Sequence, residues 1–124
     1  MNLNGLTNIN VELSSKCNKC CWMCGRRAQD KEMMEKSIDP STKYGFMQHE
    51  VIKRIVEQIP NGMVIAFHNN GEPLLSPYLK KSIRLFKEKD CITTLVTNGK
   101  LLVEKADKII DNLDTLSISI FEND

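Results

Sequence analysis

"MVIAFHNNGEPLLSPYLKKSIRLFKEKDCITTLVTNG" (residues 63–99) holds one complete strand–helix–strand unit. Its ends, "MVIAF" (63–67) and "CITTLV" (91–96), are short runs rich in β-branched residues and read as strands buried on both faces. Between them, "PYLKKSIRLFKEK" (77–89) places Leu79, Ile83 and Phe86 on one face of a helix, with Pro77 near its start. Strand, helix and strand in that order predict two parallel neighbours joined by a right-handed crossover.

The same alternation extends in both directions. "NINVEL" (8–13) reads as an earlier strand and "TLSISIF" (115–121) as a later one, also buried on both faces. In "HEVIKRIVEQI" (49–59), Val51, Ile52, Ile55, Val56 and Ile59 share a helical face. In "LLVEKADKIIDNL" (101–113), Leu102, Ala106, Ile109, Ile110 and Leu113 do so. The expected class is α/β, with four parallel strands in one sheet. Residues 25–48 show no such stripe and read as a long polar loop of the functional or mobile kind, with a short helix at 28–36.

Each strand runs directly into a polar segment: "SSKCNKCCWMC", "HNNGEP", "TNG" and "SIFEND". All four lie at the C-terminal edge of a parallel sheet, where α/β barrels and open α/β sheets place ligands. Gly, Asn and Pro also simply make turns, which accounts for "TNG" and "SIFEND" taken singly. It does not account for Glu72, and turn chemistry has no use for the cysteines.

Composition limits the partners. The 124 residues amount to one domain or part of one, 41% hydrophobic and 27% charged. A net charge of +1 offers no general attraction to nucleic acid or anionic membranes. The start, "MNLNGLTNINVEL", lacks a basic segment followed by an apolar run, so no secretory signal is expected. No apolar run approaches the ~18 residues of a membrane span. The expected location is the cytoplasm, where structural disulfides are rare and clustered thiols serve metals or redox chemistry.

"CNKCCWMC" (17–24) packs four cysteines into eight positions. A four-thiolate zinc site usually draws on two separated pairs, whereas Cys17/Cys20 and Cys21/Cys24 abut, and wrapping one tetrahedral ion with so short a loop is sterically awkward. Cys17, Cys21 and Cys24 together read Cys-x-x-x-Cys-x-x-Cys, and three thiolates can hold three irons of a [4Fe–4S] cubane. The fourth iron then has no protein ligand and is open to chemistry. Counting alone leaves the register 17-20-24 available too.

The sequence here resembles the radical S-adenosylmethionine (radical SAM) enzymes, whose signature is a three-cysteine loop of this spacing after the first barrel strand. "ELSSKCNKCCWMC" is similar to the family's common form, including Glu12, Ser14 and Asn18. "NNGEPLL" (69–75) is similar to its GGE stretch, "TNG" (97–99) to its third strand end, and Ser119 after "LD" (113–114) to its fourth. Three positions depart from the pattern: Met23 replaces an aromatic residue, Asn70 the first glycine, and Phe121 a common Asp.

The resemblance implies the N-terminal half of a partial TIM-like β/α barrel, with residues 1–124 an incomplete core domain lacking later strands and any C-terminal domain. The motif wording is most similar to members with a C-terminal SPASM-type iron–sulfur domain that modify peptides. By the same resemblance Cys17, Cys21 and Cys24 ligate a [4Fe–4S] cluster. Gly71 and Glu72 match the stretch that contacts the methionine amino group of S-adenosylmethionine, Ser119 approaches the ribose, and the main chain at Met23 meets adenine. Reductive cleavage of that cofactor yields a 5′-deoxyadenosyl radical that takes hydrogen from a peptide or small-molecule substrate, with flavodoxin or ferredoxin as electron donor. The competing class is a non-catalytic iron–sulfur or zinc-binding protein. Among the remaining residues, Cys91 reads as core and His68 as a hydrogen-bonded strand-end residue rather than a proton donor. Arg26 and Arg27 read as a solvated pair rather than an anion site, and Met33, Met34 and Met47 as packing.

Overall fold

The computed structural model describes residues 5–120. Four strands, β1 (Asn8–Asn10), β2 (Val64–Ala66), β3 (Ile92–Thr97) and β4 (Thr115–Ile118), form one parallel sheet in sequence order. The registers Ile9↔Ile65, Ile65↔Thr93 and Leu95↔Leu116 align their C-terminal ends along one edge. Parallel strands laid down consecutively give the wall of a barrel rather than a sheet that reverses its order midway.

The two strongly periodic helices form as expected. In α2 (His49–Gln58), Ile52 and Val56 are buried; in α3 (Leu79–Lys87), Leu79, Ile83 and Phe86 are. They share one core with Val11, Leu13, Ile65, Phe67 and Leu95. Phe67 and Phe86 meet edge-to-face at 5.5 Å, and burying each ring contributes about 2–3 kcal/mol. Cys91 is completely buried just before β3, as core.

Four expectations need correction. Residues 25–48 are an ordered crossing rather than a long loop: the short helix expected at 28–36 is present as α1 (Gly25–Glu35), which starts earlier, immediately after Cys24, and a 3-10 turn follows at Pro40–Lys43. No residue of α1 is buried, so no apolar stripe announced it. The segment returns to the strand edge by bridging Ser14 to Phe46 in antiparallel fashion. The expected helix over 101–113 breaks into α4 (Leu102–Lys105) and a 3-10 turn at Ala106–Lys108. Asp111 adopts φ +79°, which short polar side chains tolerate, and turns the chain back toward β4.

Third, β4 is exposed along its whole length rather than buried on both faces, because β3 is its sheet neighbour on one side only and no described helix covers it. In β3 the buried residues Thr93, Leu95 and Thr97 alternate with exposed or half-buried ones, so one face is better covered than the other. Fourth, Met34 is exposed, whereas Met47 packs on the core. Phe121 and the "FEND" end lie outside the described residues.

Asp114 anchors the start of β4. Its carboxylate accepts from the Thr93 N–H (2.7 Å) and hydroxyl (3.1 Å) and pairs with Lys87 at 2.8 Å. Lys87 first, then the Thr93 N–H, holds the Asp114 carboxyl below its ordinary value of 3.8. A depressed carboxyl contributes stability above its unfolded pKa, and that contribution is lost as pH falls through the lower folded value. Asp114→Asn is therefore expected to cost about 1 kcal/mol at neutral pH. The gap to the parent should close as pH falls below ~4. Urea unfolding at pH 7 and near pH 3 checks this; a gap that stays constant contradicts it.

Candidate functional site

The first three polar segments, with Ser119 from the fourth, meet at the C-terminal edge of the sheet. Residues 13–16, leaving β1, thread between two other segments. On one side, the Met47 N–H donates to the Leu13 carbonyl (2.9 Å) and the Ser15 N–H to that of Gly45 (2.9 Å). On the other, the Glu72 N–H donates to the Lys16 carbonyl at 2.8 Å. Glu12 Oε1 accepts from the N–H groups of Asn70 (2.8 Å) and Gly71 (3.0 Å). A carboxylate at the end of the first strand thus fixes the backbone that follows the second.

The cysteine loop closes with a turn in which the Cys24 N–H donates to the Cys21 carbonyl (3.1 Å), and Cys24 is the N-cap of α1. The cysteine loop therefore runs directly into the N-terminal, positive end of α1. Arg26, on the first turn of α1, lies over the Tyr44 ring at 3.7 Å and donates to the Ser15 carbonyl. Tyr44 donates its hydroxyl to Asp30, which raises the phenol's pKa above its ordinary value. Arg26 is thus not a freely solvated charge: it clamps α1 to the segment that leads from β1 into the cysteine loop.

Two cavities open side by side. One, about 270 Å³, is lined by Cys17, Cys20, Cys21 and Cys24 with Arg26 and Asn70 among its walls. The other, about 160 Å³, is lined by Cys17, Cys21, Gly71, Glu72, Asn98 and Ser119, with His68 also on its wall. Cys17 and Cys21 border both, whereas the exposed Cys20 borders only the first. Met23 has an exposed side chain that lines neither.

Glu72 is 2% exposed and heavily committed. Its Oε1 accepts from the Leu74 N–H (3.0 Å) and the Thr97 hydroxyl (2.7 Å), and its Oε2 from the Asn98 N–H (2.9 Å). A carboxylate offers about four acceptor sites, so one on Oε2 remains for a ligand. Its first role is to join the ends of β2 and β3. The buried His68 Nδ1 has no hydrogen-bond partner among the described residues, against the expectation of a satisfied strand-end histidine.

Among the described residues, no group of three or more His, Cys, Asp or Glu side chains converges on a single ion. A cubane makes a different demand. Each thiolate holds its own iron at a separate corner, and soft sulfur donors spread around one cavity suit that arrangement. The donor set therefore fits a three-thiolate cluster.

A parallel sheet in barrel order, with a thiol-lined cavity opening beside a polar one at its ligand edge, defines an α/β protein with a thiol-rich ligand site. The chain belongs to the radical SAM superfamily: the family model described as "Radical SAM superfamily" matches residues 11–124. It is 30% identical over 102 residues to the S-adenosyl-L-methionine-dependent 2-deoxy-scyllo-inosamine dehydrogenase of Niallia circulans, covering 78% of this chain and 37% of that protein. It is also 30% identical over 117 residues to a probable GTP 3′,8-cyclase of Pyrococcus horikoshii, covering 93% and 34%.

Among solved structures, BtrN in an open conformation superposes with a TM-score of 0.76 at 22% identity, over 95% of this chain and 51% of that one. BtrN in complex with AdoMet and 2-DOIA gives 0.71 at 24% identity, over 90% and 44%. These structures share the fold. The chain spans about a third of the length of the curated relatives and about half of the solved chains.

The residues that sequence reading missed are Asn98, Tyr44 and Asp30, the last two joined by the Tyr44 hydroxyl. Asn98 lies inside "TNG", where turn chemistry hid it. Arg26 and Asp30, four apart on α1, both meet Tyr44, which their spacing shows only once the helix is known to begin at Gly25.

Proposed function

We propose that this chain is the cofactor-binding, N-terminal part of a radical SAM core domain, in an enzyme that abstracts hydrogen from a substrate. One observation carries the reading: Cys17 and Cys21 border both the thiol-lined cavity and the polar one. A ligand in the second cavity therefore lies against groups held by the first. Cys17, Cys21 and Cys24 would hold three irons of a [4Fe–4S] cluster. When bound, the cluster supplies the electron that splits the sulfonium of S-adenosylmethionine.

The protein's own part is placement. The free acceptor site of Glu72 and the wall around Gly71 suit an ammonium group. Ser119, half-buried on the same wall with its N–H donating to the Thr97 carbonyl (2.8 Å), suits a ribose. Adenine is assigned to the main chain at Met23. The substrate class is a peptide or a small molecule, the latter by analogy with the 2-deoxy-scyllo-inosamine dehydrogenase. A flavodoxin or ferredoxin in the cytoplasm is the expected electron donor. No described helix is long and apolar enough to cross a membrane. Family membership does not favour the alternative of a non-catalytic iron–sulfur or zinc protein.

Anaerobic reconstitution with iron and sulfide should give a brown, oxygen-sensitive protein with acid-labile sulfide. Adding S-adenosylmethionine should change the electron paramagnetic resonance spectrum of the reduced form. Stoichiometric zinc without labile sulfide, or a spectrum indifferent to the cofactor, would refute the reading.

A further inference from the structure

Asn98 follows β3, 81 positions along the chain from Cys17, yet its side-chain amide reaches the cysteine loop. The Nδ2 group donates to Asn18 Oδ1 at 2.7 Å and to Cys17 Sγ at 3.8 Å, using its two hydrogens. Its Oδ1 accepts from the Lys100 N–H at 3.0 Å, so the orientation of the amide follows from its neighbours on both sides. The Asn98 backbone is held as well, since its N–H donates to Glu72 Oε2 at 2.9 Å. Lys100 adds a further tie, from its Nζ to the Asn18 carbonyl at 3.1 Å. Gly99, at φ +79°, supplies the left-handed turn that lets residues 98 and 100 both face the loop.

We infer that Asn98 is a positioning residue for the first cluster ligand and sets the reduction potential of the cluster through an N–H···S bond to Cys17. This rests on the radical SAM reading above. A donor aimed at a ligand sulfur stabilises negative charge there. Reduction adds one electron to the cluster, so the reduced form gains more from the bond than the oxidised form. The hydrogen bond therefore raises the potential, and its removal lowers it. The bond reaches Cys17 from β3, a different strand end from the one that carries the cysteines. The potential is thereby coupled to the Glu72–Asn98 contact at the wall of the polar cavity.

Two variants test this in the anaerobically reconstituted full chain. Asn98→Leu keeps bulk and neutrality without a donor. Asn98→Asp keeps the acceptor for the Lys100 N–H and removes the donor. Both are expected to retain iron and labile sulfide near parental levels. Both should show a roughly tenfold fall in the reduced-to-oxidised ratio at fixed potential, a shift of about 59 mV for a one-electron couple. The readout is a potentiometric titration followed by electron paramagnetic resonance. An unchanged or higher potential in either variant overturns the inference. So does failure of both to hold a cluster that the parent holds, because Asn98 would then be a determinant of folding rather than of potential. A parent that forms no cluster overturns the functional reading as well, whereas a cluster-bearing parent with unshifted variants overturns only the role of Asn98.

Discussion

Gly71→Ala is expected to dismantle the site and most of the fold with it. A Cβ at Gly71 would lie 1.8 Å from the Ser14 carbonyl oxygen, 2.7 Å from its carbon and 2.8 Å from Ser15 Cα. All three are backbone atoms, so no rotamer change relieves the clash. Nor can residues 13–16 move away, since Gly45 and Met47 hold their other side by backbone hydrogen bonds. Displacing residue 71 instead would break the Glu12 contacts to Asn70 and Gly71 and the Glu72-to-Lys16 bond. Overpacking of this kind costs about 1–3 kcal/mol, and each buried group left unpaired costs about as much again. The total, on the order of 5 kcal/mol, is comparable with the whole stability of many domains. Thermal unfolding followed by circular dichroism should show the midpoint falling by ~20 °C or more, or no cooperative transition. Gly45 is the built-in comparison: it lies in the same bridge, but a Cβ there meets nothing within 4 Å, so Gly45→Ala should be nearly neutral. A Gly71→Ala protein that melts within ~5 °C of the parent contradicts the account.

The second large effect concerns the adjacent cysteines. Cys21→Ala is expected to abolish the stable cluster, and Cys17→Ala and Cys24→Ala to behave alike. Cys20→Ala should keep most of it. Neighbouring side chains in a non-helical backbone tend to point apart, so Cys20 and Cys21 are poorly placed to serve one cluster together. The surroundings favour Cys21, which is half-buried and borders both cavities, while Cys20 is exposed. Loss of a residue that merely supports a ligand typically lowers metal affinity 10- to 100-fold. Loss of a ligand should therefore exceed ~100-fold, and loss of Cys20 should stay within ~10-fold. Iron and sulfide content with electron paramagnetic resonance of the four reduced variants separates the cases. Retention in Cys21→Ala with loss in Cys20→Ala would overturn the register 17-21-24, and equal damage in all four would return weight to zinc.

The pieces of this protein that sequence alone determined are those whose cause is local. α2 and α3 were legible because their buried residues repeat at the helical period, and three strands because β-branched runs end in polar turns. Their alternation was enough to specify a parallel α/β sheet. The cysteine spacing and "GEP" likewise identified the family without any contact being known. The helix expected at 28–36 is present, but its start directly after Cys24 was not legible because it buries nothing, and the 101–113 stripe misled because it gives way to a 3-10 turn before the chain enters β4. Only the tertiary structure decided what each polar residue at the strand ends touches. Glu12 reaches Gly71 across 59 positions, Glu72 reaches Thr97 and Asn98, and Asn98 reaches Cys17 across 81. Such pairings depend on strand register, set by the whole sheet: a slip of one residue would flip the strands to the opposite face and displace the ends from which these loop residues project.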